Sequence, residues 1–164
     1  MKSDNRKMRS RGFGLVELLI VIVIIGILAG MSVLAFGRSN DNAEAAAVMG
    51  NLDSAKDALL AYSMEHKRRN VDPLARDIVG KSSAAIMASI DKYLDAGTKS
   101  KGGSAARHFN NLSVRSDGTV IEVGFDGISL ASGIKNALDK KIAANGAYTG
   151  GGTSANYSIW LQIR

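Results

Sequence analysis

The chain has 164 residues, of which 46% are hydrophobic but only 5% aromatic, and it contains no cysteine. This length fits one domain with an appendage rather than two independent cores. Without cysteine there is no disulfide framework, no thiolate metal site and no cysteine nucleophile, although an extracellular destination is not excluded.

The formal net charge of +6 is concentrated at the N-terminus. Residues 1–12 carry five basic side chains against Asp4, a net charge of +4, so the remainder carries only about +2. Overall charge therefore does not indicate nucleic-acid binding, and no nucleic-acid partner is predicted. By the positive-inside rule, a basic cluster before an apolar run predicts that residues 1–12 stay cytoplasmic and that the chain after about Gly37 is translocated.

The apolar run covers Phe13–Phe36, 24 residues in which Glu17 is the one charged side chain. As a helix rising about 1.5 Å per residue, it matches the roughly 30 Å of a bilayer's hydrocarbon core. A secretory signal peptide has a shorter apolar region, although residues 33–35 weakly resemble a cleavage site. Length alone leaves open a plain signal anchor that tethers an outer domain.

Glu17 distinguishes a plain signal anchor from a third interpretation, in which copies of the chain pair through this residue. An isolated carboxylate in a lipid-embedded helix costs on the order of 2–3 kcal/mol, and nothing within the apolar helix supplies a cation. A cut between Gly12 and Phe13 would create an ammonium group one helical turn from Glu17, able to reach Glu17 of the same copy or of a neighbour. Such pairing would neutralise the buried charge and set the register between staggered copies.

The segment starting at Arg11, RGFGLVELLIVIVIIGILA, resembles the class III signal sequence of type IV pilins and of the pseudopilins of type II secretion systems. The resemblance implies cleavage after Gly12 by a prepilin peptidase and N-methylation of Phe13. It also implies that Glu17 pairs with the amino terminus of an adjacent subunit during assembly, and that the protein is bacterial. Many pilins have a proline where this chain has Leu34, so pilin, minor pilin and pseudopilin all stay open.

The resemblance implies a structural protein, and the residues themselves predict no enzymatic activity, no cofactor and no metal. It implies a pilus subunit held in the bacterial inner membrane, with its C-terminal domain outside the cytoplasm, that is then polymerised into an extracellular filament. Adhesion, motility by twitching, DNA uptake and conduction all stay open as the use of that filament. The implied partners are other copies of the chain, the prepilin peptidase, the inner-membrane assembly platform and, before assembly, the lipid bilayer. The alternatives are a secretion pseudopilin and a membrane-anchored binding domain that never polymerises.

Three parts of the chain follow from this interpretation: a cleaved leader over residues 1–12, a transmembrane and filament-core helix over 13–36, and a globular pilin-like domain over 37–164. Gly26 and Gly30 form a Gly-x-x-x-Gly pair in the apolar run. That spacing is typical of close helix–helix approach, but glycine is also common in membrane helices generally, so both explanations stand.

After Gly37, apolar residues spaced three and four apart predict an amphipathic helix over residues 43–69. The predicted buried stripe consists of Ala45, Val48, Leu52, Ala55, Leu59 and Tyr62, whereas Glu44, Asn51, Asp53, Asp57 and Ser63 fall outside it. The basic run at 66–69 is interpreted as a solvated helix end, where the helix dipole favours cations, in preference to a DNA or lipid contact.

The remaining elements predict an α+β fold: a long N-terminal helix, half membrane-spanning and half amphipathic, packed on a small antiparallel sheet. Alternating residues predict strands over 112–114, 121–125 and 157–163, with a two-residue hairpin turn at Asp117-Gly118 and a loop at residues 150–152. One helix is predicted from Ser82 or Ser83 to Gly97 and a second from Ser129 or Ser132 to about Gly146, with an exposed loop over 98–107. With no disulfide available, the last strand is expected to lock the C-terminus.

No catalytic constellation is evident. The two histidines, His66 and His108, belong to no His/Asp/Ser or His/Glu grouping, and the glycines follow no phosphate-loop pattern. Asp117 and Asp126 each precede a glycine and are interpreted as turn residues in preference to calcium ligands.

Overall fold

The computed structural model describes residues 14–67 (for residues 34 and 35 the backbone alone), 72–94 and 108–163. Within these ranges lie four α-helices and four β-strands: α1 (Leu15–Glu65), α2 (Pro73–Asp77), α3 (Ser83–Ile90), β1 (Leu112–Ser116), β2 (Ile121–Ile128), α4 (Ser132–Ala144), β3 (Tyr148–Thr153) and β4 (Asn156–Gln162). The chain divides into two units, Met1–Gly37 and Arg38–Arg164. The predicted α+β class, a long N-terminal helix with a small antiparallel sheet, is confirmed.

In the first unit, α1 is apolar on every side. An 18-residue window has a mean hydropathy of 3.0, and none of that window is buried. Its many Ile and Val residues have only modest helix propensity in water, but in lipid a helix satisfies every backbone polar group internally. By length and composition this helix can cross a membrane.

In the second unit, α1 supplies one wall of the core. The predicted stripe is confirmed, since Ala45, Val48, Leu52, Ala55 and Leu59 are fully buried and Tyr62 is nearly so. Asn51 and Ser63, predicted to fall outside the stripe, are also buried. The covered face of α1 is thus wider than the predicted stripe.

The helix ends earlier than the predicted residue 69. Its last helical residue is Glu65; the amide of His66 donates to the carbonyl of Tyr62 at 3.0 Å, and the His66 ring Nδ1 lies 3.0 Å from the same oxygen. The bond donated by the His66 amide is the last i→i−4 hydrogen bond of the helix, and His66 and Lys67 follow the helix. Residues 68–71 lie outside the described residues.

Two short helices follow, each with a side-chain cap at its N-terminus. Asp72 Oδ1 accepts from the amide of Leu74 at 2.9 Å at the start of α2, and Ser82 Oγ accepts from Ala85 at 3.4 Å at the start of α3. Helix α3 passes into a single 3-10 turn at Asp91–Tyr93, so it ends before the predicted Gly97, which lies outside the described residues.

The sheet is antiparallel throughout, with strand order β1-β2-β4-β3. Ser116 pairs with Ile121, so the β1–β2 hairpin has a four-residue loop and not the predicted two-residue turn. The longer loop is stabilised by Asp117, whose Oδ1 accepts hydrogen bonds from Thr119 N, Thr119 Oγ1 and Val120 N at 2.8–2.9 Å.

The prediction of a loop at residues 150–152 is wrong, because these residues form part of strand β3. Gly150 pairs with Ile159, and Gly152 with Tyr157. A run of glycines predicts a loop because glycine has a low strand propensity. Here hydrogen bonding to β4 stabilises the extended backbone in spite of that low propensity.

The inner face of the sheet packs on the helices. Tyr157, Ile159 and Leu161 of β4 join the same buried cluster as Leu138 of α4. On the outer face, Trp160 lies flat over Gly124 and is covered by the Arg115 guanidinium, 3.8 Å from the ring centroid. The predicted final strand is therefore confirmed; Tyr157, Ile159 and Leu161 are buried on its inner face, and Trp160 is buried on its outer face.

Candidate functional site at the start of α1

The carboxylate of Glu17 caps the first turn of its own helix. Its Oε2 accepts a hydrogen bond from the amide of Gly14 at 3.1 Å, and the carbonyl of Gly14 accepts from Leu18 at 3.2 Å. A negative group is favourable here because the N-terminus of a helix carries unsatisfied amides and a partial positive charge. Among the described residues, no cationic side chain lies within ion-pair distance of Glu17.

The surroundings of Glu17 are apolar and unburied within the chain. Leu15, Val16, Leu18 and Leu19 are between 52% and 82% exposed. In water so many exposed aliphatic side chains would be unfavourable, whereas lipid or other helices would cover them. The Glu17 carboxylate thus lies on a helix surface that is stable only when lipid or other apolar groups cover it.

Gly26 and Gly30 lie one helical turn apart on the same helix, and a Cβ built on either glycine meets no atom within 4 Å. Neither residue is therefore required to be glycine by contacts inside the chain. Their predicted role in close packing between helices stays a prediction, and so does cleavage between Gly12 and Phe13, which lie outside the described residues.

The comparisons with known proteins agree with the residues just described. A family model described as the prokaryotic N-terminal methylation motif matches residues 7–33. The N-terminal segment of the chain is thus prepilin-like, as in the precursor of a pilin or pseudopilin. No curated protein and no solved structure matches it.

The matched motif implies processing of the precursor by a prepilin peptidase and assembly into pilus-like polymers. Together with the single apolar helix near the N-terminus, it fits anchoring in a membrane. Its long helix and small antiparallel sheet are consistent with a pilin fold. The family is structural rather than catalytic.

The two histidines of the precursor lie in different surroundings. The His66 ring stacks on Tyr62 with a centroid distance of 4.1 Å, whereas His108 is buried with its ring 6.0 Å from that of Phe125. Sequence reasoning placed His108 beside a loop and missed its burial. Among the described residues, no group of three or more His, Asp or Glu side chains is arranged to hold a metal ion.

The two aspartates at Asp–Gly steps make hydrogen bonds with the precursor's own donors. Asp117 binds the hairpin loop, and the Oδ1 atom of Asp126 accepts from Ser158 Oγ at 2.6 Å. The amide of Val120, then the donors of Thr119, lower the pKa of Asp117 to about 2. Asp117 therefore lies in a turn as predicted, whereas the turn prediction for Asp126 is wrong, because this residue lies within β2 and contacts β4.

Sequence reasoning also missed two tyrosine–carboxylate contacts in the globular unit. The hydroxyl of Tyr148 donates to Asp53 Oδ1 at 2.7 Å, and that of Tyr157 donates to Asp139 Oδ1 at 2.6 Å. Burial raises the pKa of both phenols, and the adjacent carboxylates raise it further. Alternation placed Tyr157 in a predicted strand, whereas Tyr148 was assigned to no element, and no sequence signal identified the carboxylate partner of either tyrosine.

Proposed function

We propose that the precursor is the structural subunit of a type IV pilus. Cleavage after Gly12 removes the basic leader, Phe13 becomes the N-methylated first residue, and the mature chain is stored in the inner membrane until it polymerises. In this proposal residues 13–36 form the transmembrane and filament-core helix, and residues 37–164 form the globular domain outside the cytoplasm.

The observation that carries the proposal is Glu17, the one carboxylate on an apolar helix surface, within the matched motif. Its only described partner is a neutral amide, Gly14 N, which leaves its charge without a cation among the described residues. A carboxylate at membrane depth costs on the order of 2–3 kcal/mol. An ammonium group at Phe13 of a neighbouring subunit would remove that cost only when subunits stack in one register.

Storage and assembly then use the same surface. The apolar side chains from Leu15 to Phe36 are covered by lipid before assembly and by other copies of the helix in the filament. Since lipid tails are as apolar as these side chains, their burial alone gives little preference for the filament. Close approach at Gly26 and Gly30, together with the charge pair at Glu17, would supply that preference.

Substitution of Glu17 tests the proposal. We expect Glu17→Ala and Glu17→Gln to enter the inner membrane and lose the leader normally, but to reduce filament yield by about tenfold or more, because each 1.4 kcal/mol of lost contact is a factor of ten. Glu17→Asp retains the charge and is expected to retain part of the assembly. Val16→Ala is the matched control, since it shortens a neighbouring exposed side chain without changing charge.

Wild-type filament yield from Glu17→Gln would overturn the charge-pairing mechanism. Filaments confined to the periplasm, with loss of protein secretion when the chain is deleted, would favour the secretion pseudopilin, which the matched motif equally allows. A processed or unprocessed chain that never sediments as polymer would favour the membrane-anchored binding domain.

A further inference from the structure

The two outer edges of the sheet differ. At the β1 edge, Gly80 N donates to the carbonyl of Val114 at 3.2 Å, and Ser83 Oγ donates to the carbonyl of Leu112 at 2.8 Å. At the β3 edge, the described part of the chain makes no backbone hydrogen bond with residues 149–153 outside the sheet ladder. Within residues 14–67, 72–94 and 108–163, one edge of the sheet is thus covered and the other is open.

Strand β3 also lacks the usual protections of an open edge. Natural edge strands carry lysine, inward-pointing charges, proline or a bulge, which prevent pairing with another chain. Residues 149–153 have no charged side chain and no proline, pair with β4 without a register shift, and are exposed throughout. An edge of this kind is open to pairing with a further strand.

The glycines of β3 point to the same conclusion. Contacts within the chain require glycine at positions 150 and 152. A Cβ at Gly150 would lie 2.8 Å from the Ser158 carbonyl oxygen, and a Cβ at Gly152 would lie 2.3 Å from the Asn156 carbonyl oxygen. A Cβ at Gly151 would meet nothing within 4 Å, and its φ lies outside the left-handed region. Glycine in a strand costs roughly 0.5–1 kcal/mol relative to alanine, and the fold of a single copy does not explain that cost at Gly151.

We propose that β3 is an interaction surface for a second copy of this chain, with the two β3 strands pairing antiparallel about Gly151. The sequence Thr-Gly-Gly-Gly-Thr is symmetric about this residue. In that register Gly151 faces its own counterpart, and Thr149 of each copy faces Thr153 of the other. Thr–Thr pairs across antiparallel strands are favourable, and no like charges meet.

The symmetry of this contact determines which subunits it can join. The pairing is isologous, with the same surface used by both copies, so a two-fold axis relates them. Copies along one helical filament are instead related by a screw operation and point the same way. If the proposed pilus function holds, β3 pairing therefore joins subunits of two neighbouring filaments that lie side by side. A single short strand pair is weak, but repetition along two filaments multiplies its effect.

Engineered cysteines test the register, since the chain has no cysteine of its own. Antiparallel partners have Cα atoms about 4.5–5.5 Å apart, within the range a disulfide spans. We expect full-length Gly151→Cys, in detergent or in purified filaments, to form disulfide-linked dimers under mild oxidation. Thr149→Cys alone should not, because its two copies would lie about 14 Å apart along the strands, but mixed with Thr153→Cys it should cross-link.

The matched control is Gly146→Cys, an exposed glycine before β3 whose added Cβ would also meet nothing within 4 Å. Cross-linking of Gly151→Cys at least about fivefold above this control supports the pairing. Equal cross-linking at both positions, or self-linking of Thr149→Cys as strong as that of Gly151→Cys, would overturn it.

Failure of β3 pairing is distinguishable from failure of the proposed pilus function. Single filaments that form normally but give no Gly151→Cys dimers would reject the pairing alone. Register-specific dimers of a detergent-solubilised chain that never polymerises would reject the pilus function alone.

Discussion

The hydroxyl of Tyr148 at the start of β3 donates a 2.7 Å hydrogen bond to Asp53 Oδ1 on α1, across 95 residues of sequence. The Tyr148 side chain is 7% exposed, whereas Asp53 lies at the surface. The contact links the C-terminal hairpin to the first helix of the globular unit.

We expect Tyr148→Phe to lower the free energy of unfolding by about 1–2 kcal/mol, because a hydrogen bond to a charged acceptor is lost while Asp53 regains water. The melting temperature should fall by roughly 3–7 °C. The measurement is a thermal melt of the full-length chain followed by the fluorescence of Trp160, the only tryptophan.

Tyr93→Phe is the matched control for this prediction. Tyr93 donates to Glu65 Oε2 at 2.5 Å, but this contact is exposed. We expect a change below about 0.5 kcal/mol, as for most surface substitutions. A loss as large as that of Tyr148→Phe would mean that burial does not decide the strength of these contacts.

The hairpin loop should show a defined pH dependence through Asp117. Its pKa of about 2 lies below the ordinary value of about 3.9, so its contribution to stability is complete above pH 4 and is lost as the pH falls toward 2. Asp117→Asn should be less stable than the wild type at pH 7, and the difference should shrink between pH 4 and 2. A difference that stays constant over that range would contradict this account.

Gly124 and Gly151 form a matched pair of strand glycines with opposite expected responses. A Cβ at Gly124 would lie 2.4 Å from Trp160 Cε3 and 2.5 Å from the Ile159 carbonyl oxygen, so Gly124→Ala should destabilise the fold by about 1–3 kcal/mol. Gly151→Ala has open space and should be neutral or slightly stabilising. Melts of the two variants, read from Trp160 fluorescence, check this; equal losses would contradict it.

The predicted packing glycines can be tested because Gly26→Leu and Gly30→Leu meet nothing inside the chain. We expect both variants to insert into the membrane and both to reduce filament yield, since bulky side chains would separate neighbouring helices. The control is Ser32→Leu on a different face of α1, where the hydroxyl donates to Leu28 O at 2.9 Å. Reduced yield from the control alone would contradict the assignment of the packing face.

Much of the fold could be predicted from periodicity. The spacing of Ala45, Val48 and Leu52 identified the buried face of α1, and alternation identified β1, β2 and β4. These patterns succeed because burial on one face imposes them directly on the sequence. The prediction that Asn51 falls outside the buried face is wrong, because a polar residue is buried when tertiary contacts satisfy it, and these contacts are not visible in the sequence.

Strand β3 and the tyrosine contacts were missed for a different physical reason. Gly150 and Gly152 are explained by close approach to β4, and Tyr148 by a carboxylate 95 residues away. Such causes are non-local, so no window of sequence contains them. The candidate site could be predicted, because Glu17 and its apolar neighbours are adjacent in the sequence.

The central claim is that the chain is processed and assembled as a pilus subunit. The most direct measurement is mass spectrometry of the N-terminal peptide of the chain recovered from sheared filaments. The proposal predicts a terminus at Phe13 carrying one N-methyl group. A chain that retains Met1, or one that begins near Phe36 after removal of the whole apolar helix, would contradict it.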